Sequence, residues 1–565
     1  MKLLYFILLL LPMHLFAQNR YDVVIDEIMA DPVPRVALPD NEWIELKNVS
    51  AIAFNLKDWT IEDGSGQSGP MPSFLLQPDS FVIVCSAASF PAMSAYGTTI
   101  SITNFPSLSN DGETLVLKTN NGTIIYAVGY SSSWFDNDVK GAGGWSLEMM
   151  DTKNPCTGRD NWKSSKNQSG GTPGQKNSID ALVVDEVAPR LKSSFLTDKS
   201  TIVLVFDEPL DSLSGASANH YAIDGGLSIN EAIVLPPLFN EVQLKINNAL
   251  TENTIYTITA DVIDCKGNPI GSFNIVKAGI PAEVKSGELV INEILFNPRP
   301  NGYDYVEIYN KSNRIFDASA IYIANRNSAG DISSTKKLSN TPAYIFPGDY
   351  MVATENAESL QLNYLEKNPD RVLVVSSMPS YPDEEGDVVL LNLQGEVTDE
   401  VRYNFHWHFK LIVNPEGVAL ERIDPNGLSQ DPSNWHSAAS TAGYGTPTYM
   451  NSQGRQLQIV DATIEVTPKI FSPDNDGHDD IATIQYKTDA PGYVANITIF
   501  DVAGRPVRIL INNATMALNG QWNWDGLNDK GARLPTGNYI IYTEMFNLQG
   551  RKNRFKNVIV LARRQ

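Results

Sequence analysis

Short runs rich in Val, Ile, Thr and Tyr, bounded by Gly, Pro, Asn and Asp, fill this chain, and apolar spacing of the helical kind is almost absent. Thr201-Ile202-Val203-Leu204-Val205-Phe206, Thr114-Leu115-Val116-Leu117 and Val388-Val389-Leu390-Leu391 are typical of these runs. The pattern predicts an all-β protein built of strands and turns. Asn121-Gly122 and Gln394-Gly395 each lie between two such runs and predict hairpins. One stretch, Ala357 to Leu362, predicts a helical turn or two on a loop.

The pattern also repeats. Ile25-Asp26-Glu27-Ile28-Met29-Ala30-Asp31-Pro32 returns as Ile291-Asn292-Glu293-Ile294-Leu295-Phe296-Asn297-Pro298, and further echoes follow in the same order at a period of roughly 265–275 residues. Glu42-Trp43-Ile44-Glu45-Leu46-Lys47-Asn48 matches Asp304-Tyr305-Val306-Glu307-Ile308-Tyr309-Asn310. Period-two alternation puts Trp43, Glu45 and Lys47 on one face of that strand and Ile44 and Leu46 on the other. Asn110-Asp111-Gly112-Glu113 matches Glu384-Glu385-Gly386-Asp387, where Gly suits a turn with positive φ. Trp145-Ser146-Leu147-Glu148 matches Val418-Ala419-Leu420-Glu421, Asn161-Trp162 matches Asn434-Trp435, and Gly171-Thr172-Pro173-Gly174 matches Gly445-Thr446-Pro447 less closely.

An opening I-N-E-I strand, an E-W-I-E-L-x-N strand, an acidic Gly turn and a closing N-W…T-P-G segment, in that order and twice, resemble the lamin-tail domain. The resemblance implies a compact immunoglobulin-like β-sandwich in each copy, over residues 20–178 and 287–452. The second copy departs from it with Tyr305 for the usual Trp and with Gly-Thr-Pro-Thr at its close.

Between the copies, residues 187–282 carry Phe206-Asp207-Glu208-Pro209-Leu210-Asp211 and Asp264-Cys265-Lys266-Gly267-Asn268-Pro269-Ile270. These resemble the F-x-E-P-L-D and D-x-x-G-N-x-I signatures of bacterial Ig-like spacers, and a block of about 95 residues suits a sandwich of about seven strands. The last block, 459–565, contains Ile497-Thr498-Ile499-Phe500-Asp501-Val502-Ala503-Gly504-Arg505, Trp522-Asn523-Trp524-Asp525-Gly526 and Leu534-Pro535-Thr536-Gly537-Asn538-Tyr539. It resembles the FlgD-type Ig-like fold and the gliding-motility-associated C-terminal domains of Bacteroidota. That resemblance implies a type IX secretion signal and contact with the secretion machinery. Together the blocks predict tandem immunoglobulin-like β-sandwich domains.

Candidate chemistry is sparse. Glu27, Glu293, Glu45 and Glu307 occur in both copies, and the reading adopted for them is structural: carboxylates accepting backbone N–H groups beside apolar strands. Trp162 and Trp435 read as packing residues. Trp134 and Trp407 fall in corresponding loops and are the candidate ligand surface, as a stacking platform for a glycan. His406 and His408 would share a side of a strand, as in some metal pairs, but no third ligand is near in sequence. Asp474, Asp476, Asp479 and Asp480 surround Gly477 and form a candidate calcium loop of hard oxygen ligands. It is not an EF-hand, because Gln485 stands where the bidentate Glu belongs. An Asx-rich turn is the competing reading.

Bulk properties narrow the function. The formal charge is −22, from 65 Asp and Glu against 43 Lys and Arg, which repels phosphate backbones and argues against nucleic-acid partners. Three cysteines, Cys85, Cys156 and Cys265, allow one bridge at most, and Cys85 sits in the apolar run Phe81 to Cys85 as a buried thiol. Lys2, the apolar stretch Leu3 to Leu11 and Pro12 predict a secretory signal over residues 1–17, cleaved after Ala17. No later stretch approaches the ~20 apolar residues of a transmembrane helix.

The expected function is non-catalytic: adhesion, scaffolding or binding of a protein or glycan at the cell surface, after export. No Ser/His/Asp or Cys/His constellation is spaced for catalysis. The alternatives are an accessory binding role in extracellular hydrolysis of carbohydrate or phosphoester, or a cryptic hydrolase. No cofactor other than calcium is expected.

Overall fold

The computed structural model describes residues 19–454, 462–548 and 550–563. The predicted signal segment and Ile459 therefore lie outside the described residues. Contacts divide the chain into two compact units, residues 1–250 with 255–278, and residues 251–254 with 279–565. Each is described by itself.

Unit one opens with the first repeat. Its main sheet runs, in spatial order, Trp162–Ser164, Leu147–Met149, Val23–Met29, Trp43–Asn48, Phe81–Ser86 and Thr99–Ile102. A second sheet of Thr60–Glu62, Gly112–Lys118 and Ile124–Ser131 packs on it. The core between them holds Ile25, Ile44, Leu46, Trp59, Leu115 and Tyr126. Gly122 turns the predicted hairpin with φ of +83°. The spacer follows as two further sheets, one containing Leu191–Asp198 and Thr201–Phe206 and the other Tyr256–Ala260. Cys156 and Cys265 form a disulfide that ties the end of the repeat to the spacer, 109 residues apart in sequence. Cys85 is free and buried, and burial pushes its thiol up to about 11.

Unit two repeats the same topology. Its main sheet is ordered Trp435–Ser437, Leu420–Arg422, Leu289–Leu295, Tyr305–Asn310, Tyr350–Thr354 and Val372–Val374, strand for strand as in the first repeat. Its second sheet gains an edge strand, Ile332–Lys337, beside Tyr322–Arg326, Glu385–Leu391 and Val397–Asn404. Ala357–Asn363 forms the expected short helix, capped by Asn356. The last block adds a three-stranded and a five-stranded sheet whose shared core includes Phe471, Trp524, Tyr539 and Ile541.

Both faces of the strands carrying the repeated motifs are buried, so the alternation separates two interiors rather than core from solvent. One face meets the second sheet. The other, carrying the glutamates, is covered by the closing segment of the repeat. The repeated turn glycines have different causes in the two copies. Gly112 takes φ of +117° with a Cβ position 2.3 Å from the Tyr130 carbonyl oxygen. Gly386 needs no positive φ; a Cβ there would stand 2.5 Å from the Tyr403 hydroxyl.

Candidate functional site

In each repeat three glutamates lie side by side across three paired strands. Glu27 faces Glu45 on one side and Glu148 on the other; Glu293 faces Glu307 and Glu421. All six are fully buried. Glu27 accepts from the Ser146 hydroxyl at 2.6 Å and the Thr172 amide at 2.7 Å, and Glu45 accepts from the Gly174 amide. Thr172 Oγ1 reaches Glu148 at 3.0 Å. In the second copy Glu293 accepts from the Tyr305 hydroxyl at 2.6 Å and from the Thr446 amide at 2.9 Å. Glu307 accepts from the Thr448 amide at 2.6 Å, and Thr446 Oγ1 donates to Glu293 at 2.8 Å or Glu421 at 2.9 Å.

The T-P segment that closes each repeat is thus fastened by the glutamate row, which accounts for the recurrence of both. Desolvation raises Glu27, Glu45 and Glu307 well above the usual carboxylate range and Glu293 to about 8, with the neighbouring carboxylates adding to it. Most oxygens of these groups are taken up by the closing segment, as the structural reading of Glu27, Glu45, Glu293 and Glu307 expects.

The candidate aromatic platform is only partly exposed. Trp134 and Trp407 lie in matching 3₁₀ turns, Ser132–Trp134 and Phe405–Trp407. Each is half-buried on its own core, with its ring 6.1 Å from Trp162 or 6.4 Å from Trp435. They pack inward because the turn after the hairpin folds back over the Asn-Trp strand. The histidine pair is corrected. His406 is exposed, whereas His408 is buried, 5.5 Å from the Phe296 ring, with Nδ1 2.9 Å from Ser437 Oγ. Burial lowers His408 to about 4, so it is neutral at physiological pH.

The C-terminal acidic loop is partly assembled. Carboxylate oxygens of Asp474, Asp476 and Asp480 lie within 4.8 Å of one another. Asp479 does not join them; its carbonyl accepts from the Ser472 amide at 2.8 Å and closes the loop. Asp480 also accepts from the amides of Asp474, Asn475 and Gly477. The loop is therefore both an Asx-rich turn and a set of three hard oxygen donors.

A second acidic group escaped the sequence reading. Asp185, Glu208 and Asp264 converge within 4.8 Å in unit one, Asp264 being the neighbour of disulfide-bonded Cys265. Asp264 is fixed by the amides of Lys266 and Asn268 and by Asn268 Nδ2 at 2.7 Å. Burial, then the charges of Asp264, Asp185, Asp207 and Asp160, pushes Glu208 to about 8. Such a group can hold a hard divalent cation or carry a proton on Glu208. The available signal was that Glu208 and Asp264 each sit inside one of the two spacer signatures. Elsewhere, a polar groove of about 620 Å³ in the second repeat is lined by Asn325, Asp387, Arg402 and the bidentate pair of Arg326 with Glu400.

Comparison with known proteins identifies two segments. Residues 17–132 match the Lamin Tail Domain family model, and residues 178–275 match the Bacterial Ig-like domain model. The first match stops short of Leu147–Met149, Trp162–Ser164 and the closing segment that complete the sheet. No curated protein sequence matches the chain. Among solved structures, the N-terminal part of the bacterial S-layer protein SbsC aligns at 14% identity, over 29% of this chain and 40% of its own, with a TM-score of 0.16. A DUF4876 family protein from Bacteroides thetaiotaomicron aligns at 13% identity, over 42% of this chain and 91% of its own, with a TM-score of 0.18. PorZ, a surface component of the type IX secretion system of Porphyromonas gingivalis, aligns at 12% identity, over 80% and 56%, with a TM-score of 0.17. None of these superpositions reaches the score at which two chains share a fold.

Proposed function

We propose that this chain is a non-catalytic, exported, multi-domain protein of the bacterial cell surface that scaffolds or adheres through its domain surfaces. Within that reading the second repeat is a second lamin-tail domain, the terminal block is a FlgD-like domain that assists type IX export, and the source is of Bacteroidota type. The observation that supports it best is the glutamate row. The acidic residues kept in both repeats, which are the natural candidates for catalysis, are buried and spent on fastening the closing segments. The identical strand order of the two repeats supports the second lamin-tail assignment. Calcium on Asp474, Asp476 and Asp480 belongs to the proposal as an ionic component of the terminal domain.

Fractionation of cells expressing the chain with and without the residues from Ile459 onward tests the export role. Loss of surface or medium localisation on truncation is expected; unchanged export would reduce the terminal block to a further Ig-like module. A screen of the purified protein on phosphodiester and glycosidic substrates tests the non-catalytic reading, and turnover abolished by an Asp or Glu substitution would reject it.

A further inference from the structure

The hydrogen-bond frame that fastens the closing segment is shared by the two repeats, and one of the buried positions at which they differ is Asp26 against Asn292. Asp26 and Asn292 are the extra residues of matching β-bulges, where the register shifts between Ile25 and Glu27 and between Ile291 and Glu293. In both copies an asparagine of the closing segment binds the backbone beside them. Asn177 Nδ2 donates to the carbonyls of Asp26 and Met149, and Asn451 Nδ2 to those of Asn292 and Arg422. Side chains then diverge. Asn292 Nδ2 donates to Glu307 Oε1 at 2.8 Å and to Asn451 Oδ1 at 2.6 Å. The Asp26 side chain has no N–H to donate. Both of its carboxylate oxygens, and Glu45 Oε1, which corresponds to Glu307 Oε1, are buried with no hydrogen-bond donor.

A carboxylate at position 26 would set lone pairs against lone pairs in a dry interior, at a cost a buried pair avoids by keeping a proton. We propose that Asp26 and Glu45 hold one proton between them, so that the first repeat uses a titratable O–H where the second uses the fixed N–H of Asn292. The first repeat thereby carries one titratable group more than the second, beyond the glutamate row that both share, and its closing segment loosens further when that proton leaves. The charges facing Asp26 agree with this. Glu27 on its own strand and Glu148 on one neighbour disfavour ionisation. Lys47 on the other neighbour favours it, but also sits 3.4 Å from Asp79 and over the Phe81 ring. Tyr126, from the opposing sheet, is neutral. Burial is the main influence, and it lifts Asp26 to about 8. Folded protein binds this proton and unfolded protein does not across the interval from about 4 to about 8, so the stabilisation is full at acid pH and is lost as pH rises through about 8.

Hydrogen exchange of the full-length chain, read at peptide level and corrected for intrinsic rates, compares residues 171–178 with 445–452 as an internal reference. Between pH 5.5 and 8.5, protection of 171–178 is expected to fall on the order of tenfold more than that of 445–452. Asp26→Asn should remove the excess, and Asn292→Asp should transfer it to the second repeat. Infrared spectra at neutral pH should show a protonated-carboxyl C=O band that weakens in Asp26→Asn. Equal pH slopes in the two repeats, or an Asp26→Asn chain with the parent slope and an unchanged carboxyl band, would overturn the proposal. Asn292→Asp keeps it testable should Asp26→Asn fail to fold.

Discussion

Thr446 donates to Glu293 twice, from its backbone amide at 2.9 Å and its hydroxyl at 2.8 Å, with the same hydroxyl 2.9 Å from Glu421. This single residue fastens the end of the second repeat to two of its central strands. Thr446→Val keeps the shape and removes the hydroxyl, leaving the buried Glu293–Glu421 pair one donor short. A loss of about 2 kcal/mol is expected, with Thr446→Ser close to the parent, in chemical denaturation followed by unit-specific fluorescence. An unchanged Thr446→Val protein would mean that the row does not carry the closing segment.

Glu208 makes a pH prediction in unit one. Its folded value of about 8 lies above the ordinary 4.5, so folded protein binds the extra proton between those limits. The corresponding stability is full below about 4.5 and falls as pH rises through about 8. Glu208→Gln should therefore melt with the parent at low pH and above it at pH 8.5. Identical melting curves at both ends would show that Glu208 is not perturbed in solution.

The disulfide joining Cys156 to Cys265 closes a loop of 109 residues. Chain-entropy reasoning assigns such a closure about 5 kcal/mol. Reduction, or a Cys156→Ser, Cys265→Ser double variant, should lower the melting transition of unit one and leave that of unit two in place. A non-reducing gel without a mobility change on reduction would contradict the bridge.

Trp134→Ala and Trp407→Ala should each destabilise their own repeat by about 2–3 kcal/mol, below the range for fully buried aromatics because these rings are half-buried. Any glycan binding of the parent should survive both changes once the proteins are folded. Selective loss of glycan binding with unaltered melting would restore the stacking-platform reading.

For the terminal loop, Asp474→Asn with Asp476→Asn should abolish a calcium-dependent rise in the melting temperature of the full chain. Melting that ignores both calcium and chelator would leave the loop as a turn alone.

Much of this architecture was legible in the chain because strands and turns are local signals. The hairpins at Gly122 and Gly395, the short helix capped by Asn356 and the packing of Trp162 and Trp435 follow from neighbouring residues and from repetition. The structural role of Glu27 and Glu45 was legible too, but not their partners, since Thr172 lies 145 residues from Glu27. Trp134 and Trp407 were legible as loop aromatics, but their packing back onto the Asn-Trp strand was not, because it joins segments distant in sequence. His406 and His408 misled because period-two reasoning was applied to a 3₁₀ turn. The Asp185–Glu208–Asp264 group depends on packing around a disulfide whose pairing brings distant segments together.

The bridge between Cys156 and Cys265 also sets how the chain bears load. Tension applied along the polypeptide passes through the sulfur link and bypasses the residues between, so the end of the first repeat and most of the spacer are shielded from pulling. Should unit one be stretched open, about 370 Å of contour stays locked until the thiols are reduced, at roughly 3.4 Å for each of the 109 residue-to-residue steps bypassed.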